Sequence, residues 1–239
     1  MTTKEEMNSP KKTARIAGLL YLAWFVTFTF ADNGTRPIGT GDVAALVNNI
    51  MASEWHLRIS FMSDVLAAVL FLLSAWALYV LLKPVNEDLA LLFVLLNLGG
   101  VAVQCISLLG EFAVLLLLSG ADYLKVFQAD QLQALAILFL SLYRNGFILA
   151  QIFWGLWLFP LGYLVFKSGF LPRFLGILLM IDCLAILIWF FQFFLFPGYD
   201  VINYPGLIIS LIAELSLALW LLIKGVNVEQ WEKRVLETA

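Results

Sequence analysis

VLAAVLFLLSAWALYVLL, residues Val65–Leu82, carries no charge and runs into Lys83-Pro84. About 20 apolar residues in helical form cross a ~30 Å hydrocarbon core. Proline disfavours helix in the residue before it. The stretch therefore reads as the main part of a membrane-crossing helix, from about Leu57, that stops at its lysine. Leu89–Gly110 and Cys183–Tyr199 are uncharged runs of the same kind.

The whole chain agrees with these local runs. Of its 239 residues, 62% are hydrophobic and 13% charged, where a water-soluble domain has about 25% charged residues to face its solvent. An outside this poor in charge has to face lipid. About six crossings with short connections use up the length, so the chain reads as one domain, residues 1–239, with a polar lead at 1–11 and a short charged tail at 225–239. The net charge of −3 comes without a basic stripe, which argues against a nucleic-acid partner. Cys105 and Cys183 fall inside hydrophobic runs and read as buried packing thiols.

Turn signals divide the spans. Helix one runs from about Lys12 to Ala31. Its basic lead resembles a secretory signal, but Thr-Phe-Thr-Phe-Ala-Asp offers no small-residue cleavage site, so an uncleaved helix is expected. Thr40–Glu54 is too short and polar to cross. It places Val43, Leu46, Val47, Ile50 and Met51 on one helical face, which predicts a helix lying in the interface plane. Helix two covers Leu57–Leu82 and helix three Glu87–Leu118. Gln131–Lys167 predicts one long helix, kinked and protruding, although Asn145-Gly146 and Pro160 also permit a break. Helix five covers Leu171–Phe196 and helix six Ile202–Lys224.

Lysine and arginine placement orients this all-α, polytopic helical bundle, because cytoplasmic flanks accumulate them. With the N and C termini both cytoplasmic, ten basic residues (Lys4, Lys11, Lys12, Arg15, Lys83, Lys167, Arg173, Lys224, Lys233 and Arg234) lie inside. Arg36, Arg58 and Lys125 lie outside. Trp55, Tyr123, Tyr199 and Tyr204 fall near one boundary and Tyr79, Tyr163, Trp220 and Trp231 near the other, as aromatic anchors do.

Asp64, Glu111, Arg144, Asp182 and Glu214 fall within the proposed spans. A charge at the bilayer centre costs on the order of 2.5–3.5 kcal/mol on the gentlest scale, so these side chains are expected to face the bundle interior. Arg144 then needs a carboxylate partner, Glu111 first and Asp64 second. Two readings compete for the set. In one, the ion pair locks helix packing, and Asp182 and Glu214 are neutral, hydrogen-bonded acids near the midplane. In the other, these residues with Gln104, Gln151, Tyr143 and Asn145 line an outward-facing polar cavity, with His56 and Arg58 at its mouth. Gly99, Gly100, Gly146, Ala150 and Gly155 read as points of close helix contact.

Catalytic signals are missing. His56 is the sole histidine, and no His-Glu-x-x-His, paired-aspartate diphosphate motif or Gly-x-Ser-x-Gly elbow occurs. No cofactor or metal is therefore expected.

Several segments have a familiar pattern. Lys12-Thr13-Ala14-Arg15-Ile16-Ala17-Gly18-Leu19-Leu20-Tyr21-Leu22 opens helix one, Arg58-Ile59-Ser60 begins helix two, and Leu81-Leu82-Lys83-Pro84-Val85-Asn86 ends it. Most distinctive is Leu161-Gly162-Tyr163-Leu164-Val165-Phe166-Lys167-Ser168-Gly169-Phe170-Leu171-Pro172-Arg173-Phe174-Leu175-Gly176. Together these resemble the bacterial membrane-protein family called domain of unknown function 4386, over nearly the whole chain. The resemblance implies a polytopic fold in a bacterial cytoplasmic membrane and no particular activity. The leading expectation is a non-catalytic protein that binds a small or lipid-like ligand in the polar cavity, with or without transport. The alternatives are a helper associating with another membrane protein, and an intramembrane enzyme.

Overall fold

Hydrocarbon offers no water to satisfy backbone N–H and C=O groups, so a span has to bond its own, as a helix does. In the computed structural model, which describes residues 9–35 and 54–238, the chain follows this rule. The helices are α1 (Pro10–Thr35), α2 (Glu54–Leu82), α3 (Glu87–Leu118), α4 (Ala129–Ser168), α5 (Arg173–Leu195), α6 (Tyr204–Ile223) and α7 (Val228–Thr238). Short 3-10 turns at Asp122–Val126 and Asp200–Asn203 precede α4 and α6. Helices α1 to α6 are long and apolar enough to cross a membrane. Large apolar side chains such as Trp76, Leu95, Ile106, Leu184 and Ile208 are exposed, as a lipid-facing surface requires.

The observed spans match the expected ones closely, and α3 does so to the residue. The in-plane helix expected over Thr40–Glu54 falls almost wholly outside the described residues. The long segment is one helix: α4 runs unbroken through Gly146 and Pro160, roughly 60 Å at ~1.5 Å per residue. Pro160 lacks the N–H that would close a helical bond. Leu158, Leu161, Leu164 and Val165 around it are completely buried, so packing holds the helix across the gap. The charged tail contains α7, an amphipathic helix.

The chain divides into two compact units, one of residues 1–23, 70–100 and 151–239, the other of residues 24–69 and 101–150. In the first, Trp157 is surrounded by the rings of Phe71 (5.0 Å between centroids), Phe93 (6.1 Å) and Tyr21 (6.2 Å). Helices α4 and α5 meet at Gly162 and Gly176. A Cβ on Gly162 would stand 2.7 Å from the Gly176 carbonyl oxygen, and one on Gly176 would stand 2.5 Å from that of Gly162. The backbones touch where neither residue has a side chain.

Helix α7 docks on this same unit through three backbone carbonyls. The Trp231 indole N–H donates to Leu81 (2.9 Å), Arg234 donates to Lys167 (2.9 Å), and the Asn227 N–H donates to Phe170 (3.1 Å). The carbonyls of Leu81 and Lys167 belong to the last turns of α2 and α4, which leave such groups without an intrahelical partner. Trp231, expected as a lipid anchor, is instead buried.

In the second unit, Leu57 of α2, Val114 and Leu115 of α3, and Ala136 and Leu140 of α4 form a buried apolar cluster. Phe28 of α1 stacks on Phe147 of α4 at 5.7 Å.

Candidate functional site

Each unit buries polar side chains of its own. In the second unit the inward face of α2 carries Leu57, Ser60 and Asp64, and that of α3 carries Gln104, Leu108 and Glu111; all six are buried. The spacing of three, four and seven residues keeps each set on one helical face. Ser60 donates to the Ala31 carbonyl of α1 at 2.8 Å, and Tyr143 of α4 donates to Asp64 Oδ2 at 2.9 Å.

Asp64 and Glu111 lie on helices that pack against one another. Phe61 and Phe112, close neighbours of the two acids in sequence, pack ring to ring at 5.9 Å. Gly110 lets α4 come in: a Cβ there would lie 3.2 Å from the Tyr143 nitrogen and 2.6 Å from the Phe139 carbonyl oxygen. Asp64 and Tyr143 are thus joined across α2 and α4, and Glu111 is buried on α3 next to the Gly110 contact with α4, with Gln104 two turns along α3 from it. Both acids are 0% exposed. The Leu57–Val114–Leu140 cluster packs across the interior between this polar centre and the helix ends that contribute it.

The structure places the other expected site residues elsewhere. Arg144 is exposed, although it was expected among the inward charges, and Asn145 is exposed beside it. Tyr143 occupies the inward position, and the next residue on a helix points roughly 100° away. Arg144 also lies roughly 35 Å along α4 from Lys167, near the far edge of a ~30 Å core, where a long cationic side chain reaches water. His56 and Arg58 are exposed too, and Arg58 is bound to Glu54, Nε to Oε1, at 2.8 Å. Cys105 is exposed, not buried as expected; Cys183 is buried.

In the first unit, Asp182 of α5 is 0% exposed and accepts a hydrogen bond from Ser210 of α6 on Oδ1. Its Oδ2 has no hydrogen-bond partner among the described residues. Glu214, four residues beyond Ser210 on the same face of α6, is turned to the Tyr21 hydroxyl of α1 and lies within electrostatic reach of Asp182. The two acids lie on neighbouring helices, α5 and α6, within electrostatic reach of one another. Gln151 is buried in this unit as well. So is Asn97 of α3, 0% exposed, with neither amide atom hydrogen-bonded among the described residues. Phe93 and Gly100, on the same face of α3, rest against Trp157 and Trp154 of α4, so Asn97 faces α4 between them.

Sequence reading missed Tyr21, Ser210, Ser60 and Asn97. For Ser210 and Asn97 a signal was present. Ser210 precedes Glu214 by one helical turn, and Asn97 is a lone amide in an otherwise apolar run.

Six apolar spans around buried acids and hydroxyls define a multi-pass integral membrane protein. The model of the family described as "Domain of unknown function (DUF4386)" matches residues 16–225. The chain belongs to that family. It is also 31% identical over 160 residues to an "Uncharacterized protein" of Archaeoglobus fulgidus, covering 67% of this chain and 80% of that one. No solved structure matches.

Proposed function

We propose that this is a non-catalytic membrane protein that binds a small polar ligand, cationic in character, inside the unit of residues 24–69 and 101–150. The observation that carries this reading is the full burial of Asp64 and Glu111 in one unit, with Tyr143 donating to Asp64. Buried carboxyls favour a positively charged or strongly hydrogen-bond-donating guest, because a nearby positive charge or donor stabilises the ionised acid in a low-dielectric interior. Intramembrane acids of this kind commonly belong to ion or substrate sites. Gln104 adds a neutral donor and acceptor from α3. The apolar cluster of Leu57, Val114 and Leu140 makes entry conditional on separation of the helix ends, which is the basic requirement for a gated carrier.

The small residues weigh against the helper alternative, which needs them on an outer face. Gly110, Gly162 and Gly176 are instead used inside the units for close helix contact. The ten-to-three distribution of basic residues supports the reading that both termini are cytoplasmic.

The test is a thermal-stability screen of the purified protein in detergent against small amines, guanidinium compounds and amino acids, followed by uptake into liposomes. A compound that stabilises the protein and loses its effect in Asp64→Asn supports the reading. A screen in which every stabilising compound acts equally on wild type and Asp64→Asn overturns it.

A further inference from the structure

Where α5 begins and α6 ends, a groove of about 260 Å³ runs along the outside of the first unit. Leu175, Ser216 and Leu219 line its length, and Phe174, Trp220 and Lys224 its mouth. The Phe174 and Trp220 rings meet edge to face at 6.0 Å and 84°, so the wall is held rigid. A chain of methylenes lying along the roughly 12 Å of α6 from Ser216 to Lys224 meets Leu175, Leu219 and the Trp220 ring.

Among the described residues, Lys224 is the one charged residue that lines the groove, and further basic residues lie close to it. Lys11 of α1 comes within 3.1 Å of where a Cβ of Gly225 would stand. Arg173 adjoins Phe174 and stacks its guanidinium over the Phe166 ring, 5.7 Å from the centroid. Lys11 and Lys224 are exposed and enter no ion pair among the described residues. No acidic residue lines the groove. Trp220 sits one turn inside Lys224, the level at which tryptophan meets headgroups.

We propose that this groove is a binding site for one anionic phospholipid, with an acyl chain between α5 and α6 and its phosphate between Lys11 and Lys224. Basic pockets between spans at the membrane boundary hold anionic headgroups by charge and hydrogen bonding. The apolar slot beneath adds a contact that a soluble anion has no means of making. This site is independent of the buried acids of the other unit and of the ligand proposed there.

The experiment is delipidation of the whole protein in a neutral detergent, then titration with phosphatidylglycerol, with phosphatidylcholine of the same acyl chains, and with inorganic phosphate, following the melting temperature and the lipids retained in native mass spectrometry. Phosphatidylglycerol is expected to raise the melting temperature more than phosphatidylcholine and to remain bound, and phosphate alone to do neither. Lys11→Gln/Lys224→Gln, both on exposed side chains, is expected to abolish the preference between the two lipids without changing the melting temperature in detergent alone. Ser216→Leu, which fills the slot, is expected to lower retention of both lipids. Equal effects of the two lipids on wild type, a preference surviving the double lysine change, or phosphate reproducing the stabilisation would each overturn the proposal.

Discussion

Tyr143 donates its hydroxyl to Asp64 across the contact between α4 and α2, at 2.9 Å, and both side chains are buried. The bond ties together helices whose apolar surfaces alone leave their rotation about the helix axis poorly fixed, since lipid is as apolar as the core. Tyr143→Phe keeps the ring and removes only the donor. The expected loss is about 1–2 kcal/mol, larger than an average interhelical bond because the acceptor is an acid held out of water. Chemical unfolding in mixed micelles measures it; a variant as stable as the parent would show that the bond contributes no net stability.

Why Tyr143 and not Arg144 takes the interior position was not legible in the sequence. Both residues lie in the same helical turn, and charge alone points to the arginine as the residue that has to be sheltered. The deciding quantity is depth, and depth depends on where α4 meets the membrane. That became visible only once Ala129–Ser168 was seen to be one helix far longer than a bilayer is thick. The spans themselves were legible because each is a long run without charge, a property that survives any arrangement of neighbours. Asp182 and Glu214 were legible as a pair because two short helices joined by a tight connection put similar depths side by side.

Helix α7 was missed for the opposite reason. Its eleven residues are too polar overall to register as a hydrophobic run, and its signal is periodicity: Val228, Trp231 and Val235 recur at three and seven residues. Trp231 is expected to hold the helix on its unit. Trp231→Ala should speed amide exchange through residues 228–238 while leaving α5 unchanged, and Trp231→Phe should have an intermediate effect because packing remains and the bond to Leu81 is lost. Uniform exchange across all three proteins would mean that α7 is held by Arg234 and Asn227 without the indole.

Gly162 and Gly176 make a sharper prediction. Neither site has room for a Cβ unless α4 and α5 move apart, and protein interiors resist such movement. Gly162→Leu is expected to cost about 3 kcal/mol, with Gly162→Ala in the same direction and smaller. The melting temperature in detergent and the yield of monodisperse protein report both. A Gly162→Leu protein that melts with the parent would show that the two helices separate easily.

The assignment of the termini yields a test independent of stability. A reporter active only in the cytoplasm should work when fused after Ala239 and fail when inserted beside Lys125, in the connection before α4. Activity at both positions would contradict the three spans, α4 to α6, that lie between them, and the reverse pattern would invert the orientation.

The acids of the first unit separate packing from function. Ser210 bonds Asp182 Oδ1, Tyr21 faces Glu214, and the two carboxyls lie within reach of one another across α5 and α6. Asp182→Asn and Glu214→Gln preserve shape and most hydrogen-bonding capacity but remove the acid. If the pair only fastens the helices, each amide variant should melt close to the parent, whereas Asp182→Leu should lose about 1–3 kcal/mol by leaving Ser210 without its acceptor. If the pair also carries a proton or cation, the amide variants should keep their stability and lose proton release or uptake in liposomes, measured with an enclosed pH dye. The unbonded Oδ2 of Asp182 makes the second outcome the expected one, because an acid fully employed in packing has no reason to leave an oxygen idle at 0% exposure. Amide variants that match the parent in both melting and proton movement would assign Asp182 and Glu214 to packing alone.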